Sequence, residues 1–469
     1  MESIRTRLLW ALVLLVAGLL WSCESAGPAP QDALDVALDR GQTTTRRLRA
    51  VPAIPSGQTD ALYSLVWSSA HPMTIRTAAV DRLIAEDGPV FWSRIDQRIN
   101  WVDDWPMIRL LCDMAVASGT TSFVPTAVKS WARPSTTIPD SERPERGAIA
   151  ALVPAVSPEG VVGAYVRSAP DATSGGEALQ QSAWAVLSRI GGDAEQRRVL
   201  AAAGDADPFL GPLRIVALVL DQLPADRESL LRMKSVIAES TADQWQDRRA
   251  YRGQRLREGD PGIALRHLPA IDRTGGYRME RREAVFLELR ERLSGRRHFA
   301  RGDGAEEAYV EPRPEQLLDH ADRLGRADLL VLLLIDDAMQ QKSVRRSLFE
   351  QAQADRDDTG TEYGGVLVWD EKGEVVARPF APAMRRDDRV YFASDACVTA
   401  MHTGLAHYHF HAQQPNNAAW AGPGGGDIRF ANALHANCVV FTSIDTNTLN
   451  VDAYLPGGIV VDMGCIKRP

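Results

Sequence analysis

A chain of 469 residues with a net charge of −8 is too long for a single core. Its charge is mildly negative and shows no basic patch, which argues against a nucleic-acid partner. The five cysteines, Cys23, Cys112, Cys397, Cys438 and Cys465, have no CxxC-like spacing. They read as buried thiols rather than a zinc finger.

Arg5 and Arg7 precede an apolar run, Leu8 to Leu20, which is too short for a stable membrane span and suits the h-region of an export signal. Leu20-Trp21-Ser22-Cys23 follows and resembles a bacterial lipobox, although Trp21 is bulkier than usual there. The resemblance implies a signal peptide over 1–22, lipidation of Cys23 and attachment to the membrane through that lipid. The protein would then lie in the bacterial cell envelope, with Glu24 favouring the outer membrane. Residues 23–58 carry Ser-Ala-Gly-Pro-Ala-Pro, a Thr run at 43–45 and scattered charges. They predict a flexible tether.

From 59 to 350 the texture is helical. Ile75, Ala78, Ala79, Arg82 and Leu83 follow the i, i+3, i+4 rule of an amphipathic helix. His71-Pro72-Met73 before Ile75-Arg76 is echoed by Trp105-Pro106-Met107 before Ile108-Arg109, and more faintly by Gly211-Pro212-Leu213-Arg214. Pro at a helix start with Arg soon after resembles degenerate HEAT-type repeats, which would form an α-solenoid with a concave face for a partner. A non-repetitive helical bundle fits equally well. Charged stretches such as 247–257 and 278–283 read as solvated helix faces.

Near residue 352 the pattern changes. Gly364 to Trp369 and Glu374 to Ala377 predict a hairpin with Lys372-Gly373 at its turn. Ser394 to Thr403 predicts a helix capped by Ser394 or Asp395. Leu405 to His411 is a strand, Asp427 to His435 a short helix and Asn437 to Ser443 a strand. A closing hairpin runs through 451–454 and 459–461. Residues 352–469 thus predict an α+β domain, and the whole chain is multidomain.

The chemistry concentrates in this last region. Histidines two apart on a strand point to one side of the sheet, so His409 and His411 can present two imidazoles to one point. Asp427, opening the helix after a Gly-rich loop, supplies a carboxylate. Glu362 lies just before the Gly364-Gly365 pair. The order Glu362-Tyr363-Gly364-Gly365-Val366-Leu367, His409-Phe410-His411, Asp427 resembles the JAB/MPN-type (JAMM) zinc metalloproteases over about residues 355–462. That resemblance implies a cytidine-deaminase-like three-layer fold and Zn2+ held by His409, His411 and Asp427. It also implies that Glu362 acts as general base and then acid in hydrolysis of a peptide or isopeptide bond in a protein or peptide substrate.

Three departures stand out. The family's usual Ser lies three residues before the Asp, and here that position is Gly424. Losing one oxyanion donor typically costs on the order of 10²–10³ in rate; backbone N–H groups of Gly424 and Gly425 are candidate substitutes. The loop from His411 to Asp427 is longer than usual, with Gln413-Gln414-Pro415-Asn416-Asn417 as the insertion. The Pro after the second His is replaced by Ala412. These departures keep open an alternative, a non-catalytic interaction or scaffold lipoprotein with a degenerate JAMM-like domain. His407 reads as a hydrogen-bonded core histidine, and His402 and His435 as surface or packing residues. Cupin, metallo-β-lactamase, Gly-x-Ser-x-Gly and Walker-type patterns all fail on the flanking residues.

Overall fold

The computed structural model describes residues 33–99, 102, 104–167, 174–204, 206–257, 263–274, 280–299, 314–358, 360–385 and 390–469. Cys23 and the apolar run before it lie outside the described residues. Two compact units result, one up to Val162 and one from Gly163 onward.

The first unit is helical. Its helices are α1 (Ala33–Leu38), α2 (Thr44–Ala50), α3 (Thr59–Trp67), α4 (Met73–Arg98), α5 (Trp105–Ala117), α6 (Val124–Ala132), α7 (Pro144–Leu152) and the start of α8 (Pro158–Arg167). The tether expected over 23–58 ends earlier than composition suggested. Ala33, Ala37, Arg47, Ala50, Val51 and Ile54 are buried, and α2 packs on α1 and α4. The predicted helix over 74–84 is the first half of α4. Pro89 lacks the N–H that a continuous helix needs, and the chain breaks at Asp87, whose carboxyl caps Val90 N–H. Three arginines are held inside, and Arg47 donates to Ala37 O at 2.9 Å. Arg76 donates to Val66 O (2.8 Å) and to Asp104 (2.6 Å), and Arg143 pairs with the fully buried Glu145 at 2.7 Å.

The second unit combines helices with the sheet. Its helices include α9 (Ser174–Ala202), α10 (Leu210–Leu220), α11 (Arg227–Glu239), α12 (Ala242–Arg257), α13 (Leu268–Arg273), α14 (Arg282–Leu293), α15 (Arg326–Gln340) and α16 (Lys342–Asp357). The strands are β1 (Gly364–Trp369), β2 (Val375–Pro379), β3 (Ala406–His411), β4 (Cys438–Asp445), β5 (Thr448–Leu455) and β6 (Ile459–Lys467). They form one mixed sheet in the order β2-β1-β3-β4-β5-β6. Only β3 and β4 run parallel. Two further helices complete the unit: α17 (Asp395–Thr403), N-capped by Ser394, and α18 (Gly425–Leu434), which bridges β3 and β4. The predicted order of hairpin, helix, strand, helix, strand and hairpin is thus present.

The sheet's two faces have different partners. On one, Val366, Cys397, Met401, Ile428, Cys438, Val440 and Tyr454 form a core under α17 and α18. On the other, Tyr408 meets Phe410 and Phe441 edge to face, and Tyr408 Oη donates to Gln351 of α16 at 2.8 Å. Each such ring contributes roughly 1.5–3 kcal/mol through burial. The Gly364-Gly365 pair is explained by crowding: a Cβ on Gly365 would strike Arg378 O and Tyr408 Oη. Only glycine lets β1 lie between its two neighbours. The four cysteines among the described residues are free thiols, three of them buried.

Candidate metal centre

The end of β3 and the start of α18 meet at one place. A parallel crossover puts the carboxyl end of a strand beside the N-terminus of the next helix. His409 faces Gly364 on β1 and Val440 on β4, and His411 pairs with Thr442. Gly424 caps α18, so Asp427 falls at the third helical position, where its Oδ2 accepts the Gly424 N–H at 2.7 Å. The loop before it is tied down by Gly422 N–H, which donates to the buried Asp452 at 3.1 Å, and Gly422 has φ 79°.

His409, His411 and Asp427 each offer a ligand atom, and those atoms lie within 4.8 Å of one another. His409 Nε2 is 3.4 Å from Asp427 Oδ1 and His411 Nε2 is 3.8 Å from Oδ2. Tetrahedral bonds of about 2.0–2.1 Å space ligand atoms roughly 3.4 Å apart, so little movement is needed to gather them on one ion. Two further observations fit a metal. His409 Nε2 is buried and has no hydrogen-bond partner, its contact with Asp427 being misaligned for one. His411 Nδ1 lies 2.9 Å from the Trp420 carbonyl. Only an N–H bonds to a carbonyl, so in the neutral ring Nε2 carries the lone pair on the Asp427 side. A site of two imidazoles and one carboxylate suits a divalent cation, and nothing in these contacts selects which one.

Electrostatics bind the group together. Burial would lower the His409 pKa, but Asp427, Glu362 and Asp355 outweigh it and lift it to about 9. Burial opposes ionisation of Asp427, yet His409, His411 and the Gly424 N–H hold it well below the usual carboxylate range. Without a cation, the site is therefore a proton-filled imidazolium–carboxylate pair.

Glu362 is 3% exposed and not turned to bulk solvent. Burial pushes its carboxyl up to about 8, with Asp427 and Asp355 adding to the rise and His409 opposing it. Gln413 Nε2 donates to Glu362 Oε1 at 3.0 Å.

Gly424 and Gly425 were the candidate oxyanion donors. The Gly424 N–H is already engaged by Asp427, so it is not available for that role. Gly425 opens α18. His407 is a core residue as expected, but it is not hydrogen-bonded. Both ring nitrogens lack partners, and the ring packs against Tyr391, Phe430 and His409. Burial lowers its pKa to about 3, so it stays neutral. His402 and His435 are not ligands. His402 is buried between Glu228 (2.7 Å) and Ser235 (3.0 Å), and His435 pairs with Asp226 at 2.9 Å.

Sequence reasoning missed Asp355, Trp420 and Tyr454. Asp355, at the end of α16, accepts the Tyr363 N–H at 2.7 Å and also attracts the Ala412 N–H. It thereby joins the residue after Glu362 to the residue after His411. Burial raises its carboxyl to about 7. Tyr454 Oη lies 3.4 Å from His409 Nδ1. The Asp-rich end of a helix carries no signal for such a role.

No family model, curated protein or solved structure matches this chain.

Proposed function

We propose that residues 352–469 form a metal-dependent hydrolase of JAMM type that cleaves a peptide or isopeptide bond, with Zn2+ as its cofactor. The observation that carries the reading is the convergence of His409, His411 and Asp427 beside a buried carboxyl, Glu362. Bound there, a zinc ion would polarise the scissile carbonyl, acidify water at its open position and favour the ionised form of Glu362. Glu362 takes a proton from the attacking water and returns it to the leaving amine. Asp427 and the two imidazoles hold the ion, and the Trp420 carbonyl fixes the His411 tautomer. Asp355 keeps the Glu362 and His411 segments in register.

The rest of the chain is proposed to deliver this site to its substrate. The lipobox-like Leu20-Trp21-Ser22-Cys23 supports a lipid anchor in the bacterial envelope, favouring the outer membrane. Among the described residues no helix is long and apolar enough to cross a membrane. The helical region, read as degenerate HEAT-like repeats, would present a protein partner. A second reading, a binding protein with a degenerate site, draws support from Gly424, which brings no hydroxyl and has its N–H engaged.

Metal analysis combined with casein hydrolysis separates the two. Stoichiometric zinc, lost in His409→Ala, together with turnover lost in Glu362→Gln supports the hydrolase. Zinc without turnover supports the binding protein. A purified chain that takes up no zinc under any condition defeats the hydrolase and leaves the binding protein.

A further inference from the structure

The loop insertion between His411 and Asp427 has a use in the structure. We propose that Gln413 is a positioning residue that holds Glu362 in its working orientation, with Asn417 fixing the amide. This inference rests on the reading of Glu362 as the proton-transfer group.

Three contacts in series carry it. Gln413 Nε2 donates to Glu362 Oε1 at 3.0 Å. Asn417 Nδ2 donates to Gln413 Oε1 at 2.8 Å, so the amide oxygen is occupied and its nitrogen is the end that faces Glu362. Asn417 is itself buried, and its backbone N–H donates to Ser443 O at 2.7 Å. Ser443 belongs to β4, the strand that pairs with β3 and so with both histidines. The chain of contacts therefore runs from the strand beside the ligands, through the insertion, to the carboxyl across the site.

The chemistry suits the role. An amide donor on one carboxylate oxygen stabilises the ionised form, and burial acts in the opposite sense on Glu362. It also removes one rotamer choice from a long side chain, which would otherwise have to be ordered during reaction. A glutamate at this position would place a second acceptor against the first, and an aliphatic side chain would leave Oε1 without its donor. The contact is made by residues of the insertion itself, so it is a property of this chain's longer loop.

The full chain loaded with Co2+ provides a readout besides turnover, because the Co2+ absorption bands follow ionisation beside the ion. Absorption is followed from pH 5 to 10 for the parent, Glu362→Gln, Gln413→Leu and Asn417→Ala. A midpoint that disappears in Glu362→Gln belongs to that carboxyl. Gln413→Leu is expected to raise it by about one pH unit, and Asn417→Ala by less, with Co2+ affinity held within about threefold. On casein, Gln413→Leu is expected to lower kcat about tenfold with KM nearly unchanged. Asn417→Ala, which keeps the donor, serves as the second variant if Gln413→Leu melts early. A midpoint that stays put in both variants while Co2+ still binds overturns the inference alone. Failure of the parent to bind Co2+ removes the metal reading, and this inference with it.

Discussion

Imidazole–carboxylate clusters of two kinds lie in the second unit, and they differ in how the ring nitrogens are partnered. Beside α11, His402 has both ring nitrogens bonded, one to Glu228 and one to Ser235. His267 is likewise complete, with Asp328 at 2.9 Å and the Ala264 N–H at 3.0 Å. On β3, His409 Nε2 has no hydrogen-bond partner although it is buried beside a carboxylate. A buried polar atom left without a partner costs about 1–3 kcal/mol; at His407 only aromatic rings surround the bare nitrogens, whereas at His409 two further ligand-type side chains converge on the bare one. Satisfied clusters cement helices to the sheet, whereas the incomplete one has the side chains that could hold a metal ion.

The sharpest way to break that contrast is by substitution in the two kinds of cluster. His409→Ala or Asp427→Ala is expected to reduce zinc affinity by far more than the roughly 10–100-fold of an outer-contact change. His402→Ala is expected to leave affinity as it is; titration calorimetry reads both. If the two kinds respond alike, the distinction between satisfied and incomplete clusters is wrong. Next in size, Glu362→Gln should retain zinc yet lose on the order of 10²–10⁴ in kcat on casein.

His402→Ala should instead cost stability, about 2 kcal/mol in urea unfolding, because Glu228 loses the partner that holds α11 to α17. Asp355→Asn tests the brace between the Glu362 and His411 segments, and its effect should fall on kcat more than on the urea midpoint.

The smallest expected effects depend on pH. Glu362 (about 8), Asp355 (about 7) and His409 (about 9) all have raised folded pKa values. For the two acids, the folded state binds more protons than the unfolded state between about pH 4 and their folded values. The stabilisation from protonated His409 is complete below its unfolded pKa of about 6.5 and is lost as pH passes its folded value. The neutral His407 acts in the opposite sense below about pH 6.5, so the metal-free chain should lose stability from about pH 6.5 to 9. Zinc should flatten that slope and release about two protons at pH 7, one from His409 and most of one from Glu362, measurable by calorimetry in buffers of different ionisation enthalpy. A stability that rises over this window would mean that the His409–Asp427 pair is not charged as described.

Much of the site was legible because its parts follow local rules. The spacing of His409 and His411 on a strand requires only the two-residue pleat, and Asp427 at a helix start requires only a turn of backbone. The tether was misread from Ala33 onward for a physical reason. Short Ala- and Arg-rich segments look solvated until α4 covers them, and composition carries no information about that contact. His407 shows the same limit. Its face on the strand was evident, but the aromatic rings around it come from Tyr391 and Phe430, which are distant in sequence from one another.

The amino-acid order by itself determined the succession of elements in the last 118 residues and which side of β3 the histidines face, since both follow from backbone geometry over a few residues. Tertiary structure alone decided which nitrogen stays unbonded, that Asp355 braces Glu362 against His411, and that Gln413 reaches the same carboxyl. Those outcomes depend on side chains brought together from separate segments, and hydrogen bonds between them exist only once the sheet has closed.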